Sequence, residues 1–269
     1  MTAFINHFTY EFKTGLRNPT LMLMNYLFPL GFYVLMGAVM VPINEGFADV
    51  LIPAIVIVAV MVSTLLGLPG PLLEAREAGI FRSFKINGVP ALSILSIPAI
   101  STIVHALIVS TLIALTGGPL FKGLVPSSWL NFLLVTLLTC FTFGSIGALI
   151  GVVATGSRST VLWSQIIFLP SMLVGGLMIP LSSLPSSIRP ISGLLPTTYA
   201  MQAYQGYAYG LETTFDPAVS VLVLGVSGIL AFALSIYLFN WDNQNRSRRG
   251  HPLLALLVLL PYIVGLALL

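Results

Sequence analysis

The stretch LIPAIVIVAVMVSTLLGLPGPLLEAREAGIFRSFKINGVP, residues 51–90, joins two opposite kinds of sequence. Residues 51–72 carry no charge, and such a run matches the roughly 20 helical residues that cross a hydrocarbon layer about 30 Å thick. Residues 73–90 then hold Glu74, Arg76, Glu77, Arg82 and Lys85. The 269-residue chain has only eleven Lys and Arg and eight Asp and Glu, so this segment takes over a quarter of its charge.

The surroundings are as apolar as the first half. The chain is 57% hydrophobic and 7% charged, against about 25% charged in soluble domains. That is more apolar surface than one core can hold, so it must face a bilayer. The fold class that follows is all-α, a polytopic transmembrane helical bundle. The net charge of +3 comes from bases dispersed between apolar runs, without the aromatic-interleaved basic patch that points to nucleic acid. Cys140 is the one cysteine; it has no disulfide partner and no neighbouring His or Cys for a metal, and reads as a small buried hydrophobe. Glu11, Lys13 and Arg17 interrupt the N-terminus before any apolar run, unlike a cleavable signal.

At about 100° per residue, Phe4, Ile5, Phe8, Phe12 and Leu16 share one arc, with Asn6, His7, Glu11, Lys13 and Arg17 on the other side. This predicts an interfacial helix and sets off residues 1–20. Spans are predicted at 21–41, 51–72, 93–116, 129–154, 160–180 and 218–240, giving a six-span domain over 21–240. Pro180, Pro185, Pro190 and Pro196 cut residues 181–217 into pieces too short to cross. Short helices dipping into or resting on the membrane are expected over 181–210. Residues 241–269 form a basic linker and a last apolar run, 252–269. At 1.5 Å per residue that run reaches about 27 Å, and Pro261 is tolerable in a membrane helix. A seventh span is expected in preference to an interfacial or hairpin segment, with Arg246, Arg248, Arg249 and His251 anchoring its start.

Orientation follows from the bases. With the N-terminus inside, the inner segments hold Lys13, Arg17, Arg76, Arg82, Lys85, Arg158, Arg246, Arg248 and Arg249, and the outer ones only Lys122 and Arg189. Glu45, Asp49, Glu212 and Asp216 lie outside. Residues 74–86 are then cytoplasmic, with Pro69 and Pro71 ending one span and Gly88 and Pro90 preceding the next. Acids first and bases last suit a helix macrodipole. Ile80, Phe81 and Phe84 share a face that would sit against the membrane or a partner. A solvated loop would explain Arg82 and Lys85 but leave Glu74, Glu77 and the apolar face without a use.

EAREAGIFRSFKINGVP, residues 74–90, resembles the first cytoplasmic loop of type-2 ATP-binding-cassette export permeases. MIPLSSLPSSIRPISGLLPTTYAMQAYQGYAYG, residues 178–210, resembles the proline-punctuated outer segment of that family, and the N-terminal interface helix matches too. The resemblance covers residues 1–240 in order. It implies that 74–86 is a coupling helix docking on a cytosolic ATP-binding-cassette ATPase through Glu74, Arg76, Glu77, Ile80, Phe81, Arg82, Phe84 and Lys85. It makes 4–17 a connecting helix and gives Pro196, Thr197 and Tyr199 to an outer gate. It also implies a second permease copy, a prokaryotic plasma membrane, and ATP and magnesium held by the partner ATPase with no cofactor on this chain. The chain departs from the family in two places. Gln202 and Gln205 stand where members often carry an Arg, and members usually end after six spans.

Inside the predicted spans the ionisable exception is His105, near the middle of the third. It reads as a neutral histidine bonded to a neighbouring helix, or as a group sensing pH or substrate. His105, Gln165 and Asn131 are candidates for a substrate path; Thr136, Thr139 and Thr142 suit interhelical hydrogen bonds. Gly147-x-x-x-Gly151 is a close-packing face within one subunit or between two. Tyr199, Tyr204, Tyr207 and Tyr209 read as an aromatic belt. The sequence has no G-x-x-x-x-G-K-[ST] loop and no HExxH or G-x-S-x-G pattern, so an enzyme by itself is not expected. The expected function is the permease subunit of an ATP-driven exporter of hydrophobic or amphiphilic substrates (drug, lipid or natural product). The alternatives are a membrane-embedded lipid-modifying or assembly protein using His105, and an ion-coupled porter, which the lack of an intramembrane carboxylate disfavours.

Overall fold

The computed structural model of the protein describes residues 2–241 and 250–267; Arg246, Arg248 and Arg249 of the expected basic anchor lie outside the described residues. Among those described, every regular element is helical. In chain order α1 is Thr2–Arg17, α2 Pro19–Ile43, α3 Glu45–Glu77, α4 Ile80–Ile86, α5 Ala91–Phe121 and α6 Trp129–Val153. Then come α7 Ser157–Val174, α8 Pro196–Ala203, α9 Pro217–Leu238 and α10 Pro252–Ala267.

Five of these helices, α2, α3, α5, α6 and α9, are long and apolar enough to cross a membrane. The predicted fifth span is helical only from Ser157 to Val174, 18 residues. Arg158 and Gln165 dilute its apolar character, and Gly175 with left-handed Gly176 (φ 83°) ends it. The chain alternates direction through the long helices. One side of the bundle, the basic end, gathers Arg17, Glu77, Val153 and Leu238; the other, the acidic end, gathers Glu45, Phe121, Trp129 and Pro217. Cross-links fix both: Phe81 meets Phe239 at the first, and the Leu124 amide donates to the Ala48 carbonyl at the second.

α3 is the centre. Every residue from Leu51 to Leu65 is buried, enclosed by α2, α5, α6 and α8. In a bilayer this enclosure is driven by close packing rather than by escape from water, so small residues decide it. A Cβ on Gly147 would lie 2.1 Å from the Thr64 carbonyl oxygen, and one on Gly151 would lie 3.1 Å from that of Pro69. The glycine face therefore closes within one chain, backbone against backbone. It meets α3 where the helix widens into a π turn at Val62–Gly67. The threonines expected to link helices each bond back four residues, Thr136 to Phe132, Thr139 to Val135 and Thr142 to Leu138. Two of the three also link helices: Thr142 reaches the Leu224 carbonyl of α9 at 3.0 Å, and Thr136 accepts from the Tyr204 hydroxyl.

α1 lies against α5. It buries Gly15 and half-buries Phe8 and Phe12, while Phe4, Ile5 and Leu16 of the same arc stay exposed, a division suited to a helix in the interface plane. The C-terminal run is not a uniform α-helix. Pro252–Leu259 is a 3-10 helix and Leu260–Ala267 an α-helix. Gly250 lies beside Tyr237 and Leu238, and Gly265 beside Tyr199 and Val223. α10 thus runs antiparallel to α9 from the basic end toward the acidic end. Its reach is about 28 Å, because the tighter helix rises about 2.0 Å per residue.

Candidate functional site

Residues 74–90 do not form the single helix expected over 74–86. The α3 rod continues through Glu74, Arg76 and Glu77 and stops at Gly79 (φ 74°), where the left-handed conformation that glycine tolerates ends a helix. α4 follows and stops the same way. Gly88 (φ 72°) donates to the Lys85 carbonyl and Val89 to the Phe84 carbonyl, a Schellman closure. The result is a foot below the bundle, bent at Gly79 and closed at Gly88.

The foot has two sides. Glu74, Glu77, Ile80, Arg82 and Lys85 are exposed, as is Ile86, a further apolar side chain on this surface. Phe84 is half-buried against the His7 ring of α1, 5.6 Å away. Two expected ATPase contacts turn inward instead. Phe81 packs on Phe239 at 5.4 Å in a second apolar cluster at the basic end. Arg76 is 6% exposed; its guanidinium donates to the Val152 carbonyl at 2.6 Å and to the Ala154 carbonyl. Those carbonyls end α6, and their orphaned acceptors and the negative end of the helix dipole account for the buried cation. A signal existed in the sequence, since Arg76 follows Leu73 and Leu72 by three and four residues and so shares their buried face.

α1 adds one titratable pair beside the foot. His7 Nε2 and Glu11 Oε1 are 3.5 Å apart. Burial raises the Glu11 carboxyl above its ordinary value, and His7 opposes that shift.

At the acidic end, Pro196, Thr197 and Tyr199 are all buried in α8. The Tyr199 hydroxyl donates to the Gly193 carbonyl at 2.9 Å, and its ring meets Tyr262 at 5.6 Å. Tyr199, Tyr204 and Tyr209 are core residues rather than an aromatic belt; only Tyr207 of the four is exposed. The Tyr204 hydroxyl donates to Thr136 Oγ1 at 2.8 Å, Asn131 Nδ2 to the Tyr207 carbonyl at 3.0 Å, and Ser127 Oγ to the Ala208 carbonyl at 2.9 Å. Gln202, one of the two glutamines that mark the departure from the family pattern, accepts from the Thr214 and Phe215 amides. It pins a loop with a neutral group.

His105 is buried midway along α5. Its Nδ1 is 2.6 Å from the Tyr26 hydroxyl, and Phe12 of α1 stacks on its ring at 4.4 Å. The residue binds α1, α2 and α5 together. Asn131 stands at the acidic end of the bundle, bonded to the Tyr207 carbonyl, and Gln165 is half-buried on α7. The three expected path residues are therefore not brought together.

The family model of the ABC-2 type transporter matches residues 2–209, from α1 through the acidic-end segment that contains α8. No curated protein matches the chain. With this match over most of its length and five helices able to cross a membrane, the chain belongs to the ABC-2 type transporter family, as a membrane permease subunit.

Proposed function

We propose that this permease drives export of hydrophobic or amphiphilic compounds by borrowing work from a cytosolic ATP-binding-cassette ATPase, paired with a second permease copy. The observation that carries this reading is the foot: exposed Glu74, Glu77, Ile80, Arg82 and Lys85 on one side, Phe81 and Arg76 locked into the bundle on the other. A surface of mixed charge and protruding isoleucines suits a protein partner, and its locked back makes a push on it a push on the helices. The basic end would face the cytoplasm of a prokaryotic cell, with α7 and α10 completing six and seven spans. ATP and magnesium would be bound by the partner. ATP-driven closure of the ATPase pair would move the foot, and access would alternate because the contacts differ in energy between the two states. An apolar groove of about 380 Å³ between α6, α7 and α10, lined by residues such as Ile150, Trp163, Leu195 and Leu256, is in keeping with apolar cargo.

The test is charge reversal of the foot. Glu74→Lys with Glu77→Lys is expected to abolish co-purification of the ATPase while leaving membrane insertion and thermal unfolding unchanged. A doubly reversed chain that holds its ATPase as well as the parent would overturn the docking role.

A further inference from the structure

We infer that Arg76 is a positioning residue that makes α6 the member transmitting foot movement to the acidic end; the inference rests on the docking role proposed above. At one end of α6, the Arg76 guanidinium bonds the Val152 and Ala154 carbonyls. At the other, Thr136 takes the Tyr204 hydroxyl, Asn131 bonds the Tyr207 carbonyl, and the Ser127 hydroxyl and Ser128 amide both bond the Ala208 carbonyl. Thr136 and Asn131 lie about 24–32 Å from Val152 along one uninterrupted helix, with Ser128 capping its start. The Gly147 and Gly151 contacts with α3 leave no slack between foot and helix. α9 is tied to the same member by the Thr142 bond to Leu224 and by Gly228 seated against Phe141.

The sequence of forces is then simple. The foot can bend at Gly79, but Arg76 lies on the bundle side of that bend, so it moves with α3 and carries the end of α6. Because α6 is a continuous helix, its far tip moves too, and with it the turn after α8 that closes the acidic end. Removing Arg76 leaves the exposed foot intact and loosens the link behind it, freeing the last turn of α6 while the glycine contacts farther along the helix remain.

The experiment uses the permease–ATPase complex in vesicles, with Leu211→Cys as a reporter at the acidic end. Leu211 is exposed, and the native Cys140 is fully buried and silent. The probe is a membrane-impermeant maleimide. In the reporter chain, ATP is expected to change the labelling rate at least fivefold. Arg76→Ala, and independently Tyr204→Phe at the far end, should each reduce that change below twofold while the ATPase still co-purifies and still hydrolyses ATP. The double variant should be no worse than either single. Arg76→Lys should restore part of the response. If Arg76→Ala fails to fold, Tyr204→Phe decides alone, since it removes one hydroxyl. Variants that keep the full ATP-dependent change overturn the inference. A reporter chain that holds no ATPase overturns the docking role itself, and the transmission built on it.

Discussion

The two halves of one helical rod, α3, differ completely in their surroundings. From Leu51 to Leu65 the rod is enclosed on every side, whereas at Glu74 and Glu77 it emerges beneath the bundle with its acids exposed. The enclosed half is held by volume and backbone proximity; the emergent half is held on one side only, by Leu72 against Gly151 and by Arg76 on the end of α6. A substitution in the first should therefore be felt as stability and one at the exposed foot as coupling, with Arg76 the position where both are felt.

The sharpest way to break that distinction is Gly147→Val. Its Cβ would meet the Thr64 carbonyl, a backbone atom with nowhere to move. Overpacking of this kind costs about 3 kcal/mol, or roughly 10 °C in unfolding temperature, measurable by thermal unfolding in detergent. Arg76→Ala comes next. It strips two buried carbonyls of their donor, a cost of about 2 kcal/mol, and unlike Gly147→Val it should also uncouple ATP hydrolysis from transport. Reversing Glu74 and Glu77 should change stability by less than about 0.5 kcal/mol, yet lower ATPase retention at least about tenfold in a pull-down. Loss of fold there would erase the contrast between the two halves.

The smallest effect belongs to α1, which flanks the foot. Burial raises the Glu11 carboxyl, so the folded state holds that proton more tightly than the unfolded chain does. The resulting stability is present below the unfolded value of about 4.3 and is lost as pH rises through the folded one. Glu11→Gln should match the parent near pH 4 and unfold about 1 °C higher at pH 7. A lower unfolding temperature at pH 7 would mean that the pairing with His7 outweighs burial.

How much of this was legible in the sequence depends on what each residue answers to. The long spans follow from composition, because an uncharged run of 20 residues has few alternatives to crossing. The interfacial arc of α1 follows from a period of 3.6. The bend at Gly79 was available, since an alanine-glycine pair after a helical run is a common ending, but the even spread of charge across 74–86 concealed it. Arg76 was misassigned because a cation beside two exposed acids suggests the same surface, and its true partners are carbonyls 76 and 78 residues away in the chain. The tyrosines were misplaced for a related reason. Whether Tyr199 or Tyr204 meets headgroups or core depends on how deep α8 sits, and depth is set by tertiary contacts with α6 and Tyr262. His105 was legible as a buried histidine bonded to a neighbouring helix, because a polar group inside an apolar run needs a partner; that the partner is Tyr26 was not, since it lies 79 residues away in the chain.

The enclosure of α3 has a consequence for reading oiliness. The segment that a hydropathy profile marks as most at home among acyl chains is, within this chain, the one that scarcely meets them. Its Val, Ile, Leu and Ala side chains answer to their neighbours' shapes, so swaps that conserve total volume should pass, while an equally greasy but bulkier residue should not. Greasiness there is a requirement of the interior, and the skin that greets the lipid is made by other helices.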